Sequence, residues 1–350
     1  MKDFQPNFWT TLIGSFPHTS PDGLYKQIID SVDIPMWPQL PKRDFKESMY
    51  VQYTQSFPRV VVNAEEEKIH VNTEGDLSEN LESFYEKYLA DDLDAFGFSA
   101  EYAEGFFAML EILELHSGNW VKGQVTGPIS LGLTVTDQSL RSILYHELLA
   151  DVVVKNAAMN ARWQVKKLSA VRPNVIIFVD EPYMASFGSA FISLSREQVI
   201  VMLDEVFDAI HQEGGLAGVH CCANTDWSVL LDTSADILNL DAYGYLDNLA
   251  LYPEKLKPFL NRGGVIAWGI VPSSDEIYAN TPAGLSNQLI AGLSLISQKA
   301  QAKGIDISLD TLKTHSLITT SCGLGPTNEA IADMAFEMLP EIKSILQDQI

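Results

Sequence analysis

Three positions carry metal chemistry by residue type. His220 and Cys222 lie in Gly218-Val219-His220-Cys221-Cys222, and Cys322 lies in Thr319-Thr320-Ser321-Cys322-Gly323-Leu324. Asp241 ends an apolar run between them, Ile237-Leu238-Asn239-Leu240-Asp241. Each run reads as a buried strand with its metal-capable residues at or near the C-terminal end. Strand side chains alternate between faces, so His220 and Cys222 share one face and Cys221 takes the other. One imidazole, two thiolates and one carboxylate converging at the end of a parallel barrel would make a zinc site. Such an electron-rich site suits a further thiol. A free thiol has a pKa of about 8.5 and is mostly protonated at neutral pH, whereas coordination removes the proton outright. Taken singly, each residue reads more plainly as a buried small hydrophobe or a satisfied core histidine. Their joint placement at strand ends is what points to a metal.

Other strand ends offer polar groups to the same face. Phe178-Val179-Asp180-Glu181-Pro182 places two carboxylates at the barrel mouth. Asp180 there would bind a substrate ammonium or hydroxyl, and the plainer alternative is helix capping by a carboxylate. In Gly123-Gln124-Val125-Thr126-Gly127-Pro128, a Gly/Pro turn exposes backbone N–H groups that could hold a carboxylate or phosphate, or it simply joins strand to helix. Thr11-Leu12-Ile13-Gly14-Ser15-Phe16-Pro17 ends the first strand, where Gly14 and Ser15 could present backbone and hydroxyl to a ligand. Trp268, in Ala267-Trp268-Gly269-Ile270-Val271-Pro272, could pack on a flat ligand or belong to the core. His18, His70, His116 and His315 have no evident partners.

Eight short apolar runs could supply these strand ends: residues 10–15, 95–100, 121–126, 175–180, 216–222, 237–241, 265–270 and 316–322. Most are rich in Val and Ile and bounded by Gly, Pro or Asp, as buried parallel strands are. Helical periodicity separates most of them, over 139–167, 195–213, 281–303 and 327–346. Ser195 is a helix cap, and Gly214-Gly215 ends the helix that follows it. The alternation predicts an α/β fold, a (β/α)8 TIM barrel with an insertion after the first strand. The insertion spans approximately 17–94. Within it, 59–64 and 68–72 flank Glu65-Glu66-Glu67 as a hairpin and form a lid or substrate wall. With no repeat, low-complexity tract or linker, the expectation is a single catalytic barrel domain over 1–350.

The 350 residues carry a formal net charge of −23, with 23 Lys and Arg against 46 Asp and Glu. That balance argues against nucleic acid and anionic membranes as partners. Three cysteines cannot make a disulfide framework. The N-terminus, Met1-Lys2-Asp3-Phe4-Gln5-Pro6, lacks the apolar core of a signal peptide, and no apolar run reaches the roughly 18 residues of a membrane span. A cytoplasmic protein is expected.

These motifs together resemble the C-terminal catalytic half of cobalamin-independent methionine synthase, in the superfamily that also holds uroporphyrinogen decarboxylase. The resemblance covers nearly the whole chain. It rests on Thr11 to Pro17, Thr126-Gly127-Pro128, Val179-Asp180-Glu181-Pro182, His220-x-Cys222, Asp241 and Cys322-Gly323-Leu324. It implies zinc held by His220, Cys222 and Cys322, with Asp241 standing where the family has a glutamate, one methylene longer. It implies Asp180 on the amino group of homocysteine, and Gly14 and Ser15 on the carboxylate. The family's N-terminal folate-binding barrel has no counterpart in the sequence. Its seventh-strand histidine, implicated in protonating the folate leaving group, is replaced by Trp268-Gly269-Ile270-Val271-Pro272-Ser273. A methyl-folate needs that acid, and a methyl-corrinoid does not. The resemblance therefore implies the short core type: a methyltransferase that makes methionine from homocysteine, with methylcobalamin or a methylated corrinoid protein as donor. Alternatives are a methyl-tetrahydrofolate-dependent synthase, transfer to another thiol such as coenzyme M, a metal-free decarboxylase of the uroporphyrinogen type, and a corrinoid-protein-binding module without turnover.

Overall fold

The computed structural model describes residues 4–189 and 192–349. Met1, Lys2 and Asp3 of the N-terminal stretch read above lie outside the described residues. The strands are β1 (Trp9–Thr10), β2 (Val60–Asn63), β3 (Lys68–Val71), β4 (Trp120–Thr126), β5 (Thr136–Asp137), β6 (Asn174–Asp180), β7 (Leu216–Cys221), β8 (Ile237–Leu240), β9 (Val265–Val271) and β10 (Ser316–Thr320). Among the described residues, seven of them form one curled sheet in the order β1-β10-β9-β8-β7-β6-β4, every pair parallel. The architecture is α/β and consistent with a TIM-like barrel. The hairpin expected around Glu65-Glu66-Glu67 is present as antiparallel β2 and β3, with β5 alongside β3.

One expected strand is not one. Residues 95–100 lie outside the sheet, and Leu93–Phe96 form a 3₁₀ turn. The apolar character that suggested a strand serves an aromatic cluster instead. The Phe98 ring meets Trp37, Tyr53, Phe106 and Trp163 edge-on. Gly97 sits so close to Trp163 that a Cβ would fall 2.3 Å from the indole. The gap between β1 and β4 is bridged by residues 34–36. The Ile34 N–H donates to the Thr10 carbonyl (3.1 Å), and the Lys122 N–H donates to the Pro35 carbonyl (2.8 Å). Met36 pairs with Lys122 in parallel sense. Asp33 pins this segment: its carboxylate accepts from the Thr10 N–H (2.9 Å) and hydroxyl (3.1 Å) and pairs with Lys343.

The sheet separates two apolar regions. Inside the curl, Ile34, Ile176, Phe178, Leu216, Ile237 and Leu317 pack together as a plug. Outside it, the opposite strand faces meet the helices, including Glu147–Ser169, Arg196–Gln212, Pro282–Ala302 and Glu329–Gln347. The predicted Ser195 cap is a full capping box. Its hydroxyl accepts from the Gln198 N–H (3.2 Å), and the Gln198 amide oxygen accepts from the Ser195 N–H (2.8 Å). At the other end of that helix, His211 bonds Asp236 (2.7 Å), which also accepts from the Ala217 N–H at the start of β7. No helix among the described residues is long and apolar enough to cross a bilayer.

Two stability predictions follow from these contacts. Removing the Asp33 carboxylate in Asp33→Ala leaves Thr10 donors unpaired and should lower the unfolding free energy by about 1–3 kcal/mol, read from urea titration. A loss below about 0.5 kcal/mol would mean the carboxylate does not hold this segment. The Asp236 hydrogen bond raises His211 above its ordinary 6.5, against burial that lowers it. A raised histidine contributes stability that is complete below 6.5 and fades as pH climbs through the folded value. His211→Gln should therefore be clearly less stable than wild type in mild acid, with the gap narrowing in alkali. A gap constant across pH would remove the charge from the explanation.

Candidate metal centre and ligand cavity

Strand register assembles the site. Asp180 pairs with His220 across β6 and β7, and His220 pairs with Asn239 across β7 and β8. Two residues earlier on each strand stand Phe178, Gly218 and Ile237, which belong to the plug or lie against it. With a period of two, the residues above them point inward as well. A polar layer thus rests on an apolar one. His220, Cys222 and Cys322 come together here, their ligand atoms all within 4.8 Å of one another.

His220 is prepared for one face. Its Nδ1 bonds the Asn239 side-chain oxygen, so the ring donates its N–H there, and Nε2 is buried with no hydrogen-bond partner. Asn239 is itself fixed, donating to the Ala267 carbonyl (2.8 Å) and the Thr319 hydroxyl (2.9 Å). A metal-ligating histidine is usually held this way by a partner on its other nitrogen. The hydrogen bond between the two cysteines lowers Cys222, helped by the His220 imidazole against burial, and the same bond raises Cys322. The bond thus favours the thiolate at Cys222 and the thiol at Cys322. An imidazole and two thiols within 4.8 Å of one another, one thiol held below its ordinary range, are a donor set that fits zinc.

Asp241 stands at the edge of this group rather than in it. Its carboxylate caps the helix Ala242–Leu249, accepting from the Gly244 N–H at 2.8 Å, while remaining close enough to feel the Cys222 and His220 charges. Cys221 faces away and is buried, its thiol on the Ala223 carbonyl.

A cavity of about 130 Å³ opens beside the sulfurs, lined in part by Ile13, Ser15, Gln39, Met49 and Asp180. The Asp180 Oδ1 is buried and unpartnered. Burial pushes Asp180 up to about 6, against the attraction of His220 and Lys122. Of the Asp-Glu pair, one carboxylate caps a helix and the other lines the cavity. Glu181 caps the helix Pro128–Thr134, accepting from the Ile129 and Ser130 N–H groups and the Ser130 hydroxyl, and Asp180 faces the cavity. Ser15 reaches the cavity, with its hydroxyl also accepting from the Gly325 N–H at 3.3 Å. Gly14 adopts φ +141°, and a Cβ there would lie 2.6 Å from the Gln124 amide. Thr126 donates its hydroxyl to the Met49 carbonyl (2.7 Å), and so holds the cavity wall. Trp268 is fully buried in the outer core with its indole N–H on the Ser316 hydroxyl (2.7 Å), because the inward residues of β9 are Ala267 and Gly269.

Sequence reasoning missed Asn239, Lys122, Gln39 and Met49. Asn239 had a readable signal, lying in register with His220 and two residues before Asp241. So did Lys122, a lone cation inside an apolar strand. Gln39 and Met49 come from the long segment between β1 and β4, where no local pattern marks a cavity wall.

A scan against protein-family models finds no match, and no curated protein matches the chain. Solved structures do match. The putative vitamin-B12-independent methionine synthase of Listeria monocytogenes is 10% identical with a TM-score of 0.50, over 98% of this chain and 97% of that one. The B12-independent methionine synthase of Shewanella sp. W3-18-1, solved with selenomethionine, is 18% identical with a TM-score of 0.44, over 69% of this chain and 67% of that one. At such identities the first likeness is one of fold.

Asn239→Ala should cut zinc affinity about 10–100-fold by freeing the His220 ring, measured by chelator competition. Unchanged affinity would show that the Asn239 contact does not prepare His220 for metal.

Proposed function

We propose that the chain is a zinc-dependent methyltransferase that methylates the thiol of homocysteine to form methionine, with methylcobalamin or a methylated corrinoid protein as donor. The observation that carries this reading is the convergence of His220, Cys222 and Cys322 beside a small cavity that also holds an unpartnered Asp180 oxygen. We read residues 1–350 as a single catalytic barrel domain acting in the cytoplasm, with 17–94 as an insertion that walls the cavity.

Zinc bound by His220, Cys222 and Cys322, with Asp241 as the candidate fourth ligand, would supply Lewis acidity that keeps an acceptor sulfur unprotonated. The remaining work falls to the chain. Asp180 accepts from the ligand ammonium and fixes the amino-acid end of the acceptor. Gly14 and Ser15 face its carboxylate. Asn239 holds the His220 ring in one orientation. The acceptor sulfur then attacks the methyl carbon in line. A methyl-corrinoid donor would supply a methyl carbon whose bonding pair departs with the cobalt as the S–C bond forms, and the thiol proton would go to solvent.

The end of β9 supports a donor that needs no acid. Ser273 and Ser321 lie there, hydrogen-bonded to each other at 2.9 Å, and neither hydroxyl is a competent acid near neutral pH. Zinc-loaded protein should form methionine from homocysteine with methylcobalamin and not with methyl-tetrahydrofolate, and Cys322→Ser should lose both bound zinc and transfer. Turnover with the folate would overturn the assignment of the donor. A fully active, zinc-loaded Cys322→Ser would overturn the metal centre.

A further inference from the structure

No lysine or arginine side chain among the described residues lines the cavity, yet an amino-acid ligand brings a carboxylate into a chain of net charge −23. Behind the cavity-lining Ile13 stands Lys122, which is fully buried inside the curled sheet on β4. Its ammonium lies over the Phe178 ring, 4.6 Å from the centroid, and donates to the Ile13 carbonyl at 2.7 Å. Burial pushes Lys122 down to about 7, and the charge that opposes this is the Asp180 carboxylate. A buried ammonium is costly unless it is used.

The Ile13 carbonyl reaches Lys122 because the backbone turns at Gly14, which takes a φ that side chains disfavour and leaves no space for a Cβ against Gln124. The chain has no cis peptide bonds among its described residues. In a trans peptide the N–H points opposite to the C=O. With the Ile13 oxygen on the ammonium, the Gly14 N–H leaves the same plane on the side away from Lys122. The residues flanking that N–H, Ile13 and Ser15, both line the cavity. A charge on the carbonyl end polarises the peptide and strengthens its N–H as a donor.

We propose that Lys122 is a positioning residue for the ligand carboxylate: through the Ile13–Gly14 peptide it presents a polarised Gly14 N–H, beside the Ser15 hydroxyl, to the anionic end of an amino-acid thiol. This rests on the reading of the acceptor as an amino-acid thiol. It explains how a cavity without a lysine or arginine takes a zwitterion, with Asp180 on the ammonium and a neutral backbone donor on the carboxylate.

The test compares two thiols by calorimetry on the zinc-loaded full chain: L-homocysteine and 3-aminopropane-1-thiol, which lacks only the carboxylate. Wild type should bind homocysteine more tightly. Lys122→Met should weaken homocysteine binding about tenfold and leave the decarboxylated thiol unchanged. Lys122→Gln, which keeps an N–H donor without the charge, should fall between them and serves if the methionine variant fails to fold. An unchanged preference in either variant would overturn the proposal, as would an equal loss for both thiols, the result of a merely structural lysine. Absence of any preference in wild type would instead overturn the placement of the carboxylate beneath this proposal, and so separates the two failures.

Discussion

The site depends on the register of neighbouring parallel strands. Asp180, His220 and Asn239 meet because β6, β7 and β8 are aligned residue for residue, and the plug formed by Phe178 and Ile237 fixes which residues face inward. A one-residue slip on any of these strands would turn its inward set outward. Such a slip on β7 would bury Val219 and Cys221 in the polar layer and put His220 among the helices. The apolar plug therefore specifies the chemistry above it. Gly218 shows how tightly: a Cβ there would fall 2.3 Å from the Phe178 ring, so the residue beneath His220 has to be glycine.

This alternation made much of the site legible. His220 and Cys222 share a face by their spacing alone, and Cys322 falls at the end of a run that is β10. The same rule, applied to β9, would have placed Trp268 outside, since Val265 and Ala267 belong to the plug. What stayed hidden was hidden by non-local physics. The bridge across the sheet edges contains Pro35 and is followed by Pro38, and proline cannot donate to a ladder, so the segment did not read as extended pairing. It pairs nonetheless, because the donors used belong to Ile34 and Lys122 and the Pro35 carbonyl is free to accept. Residues 95–100 have strand-like composition, but nearby aromatic rings use their apolar surface first. Composition reports that a run is buried and not which neighbour buries it.

The polar layer keeps several groups unpaired. The Asp180 Oδ1, the His220 Nε2 and the Gln124 Oε1 are all buried without hydrogen-bond partners. Each such atom costs about 1–3 kcal/mol relative to a paired one. Three in one region of the interior are a concentration that packing does not require. A ligand or metal ion that supplied the missing partners would lower that cost.

The segment between β1 and β4 is tied to this layer through backbone carbonyls. Thr126 donates to Met49, Tyr53 donates to the Gln124 carbonyl at 2.9 Å, and Asn156 donates to the Tyr53 carbonyl at 2.7 Å. Gln39 is bonded from its backbone to both Gly14 and Phe16. Met49 is therefore positioned by β4, the strand that carries Lys122 and Gln124, and Gln39 by the chain that follows β1. Met49 and Gln39 make these bonds with main-chain atoms, whereas Tyr53 makes its bond with its side-chain hydroxyl. The strands hold Asp180 and His220, and the segment between β1 and β4 brings Gln39 and Met49 to the cavity they line.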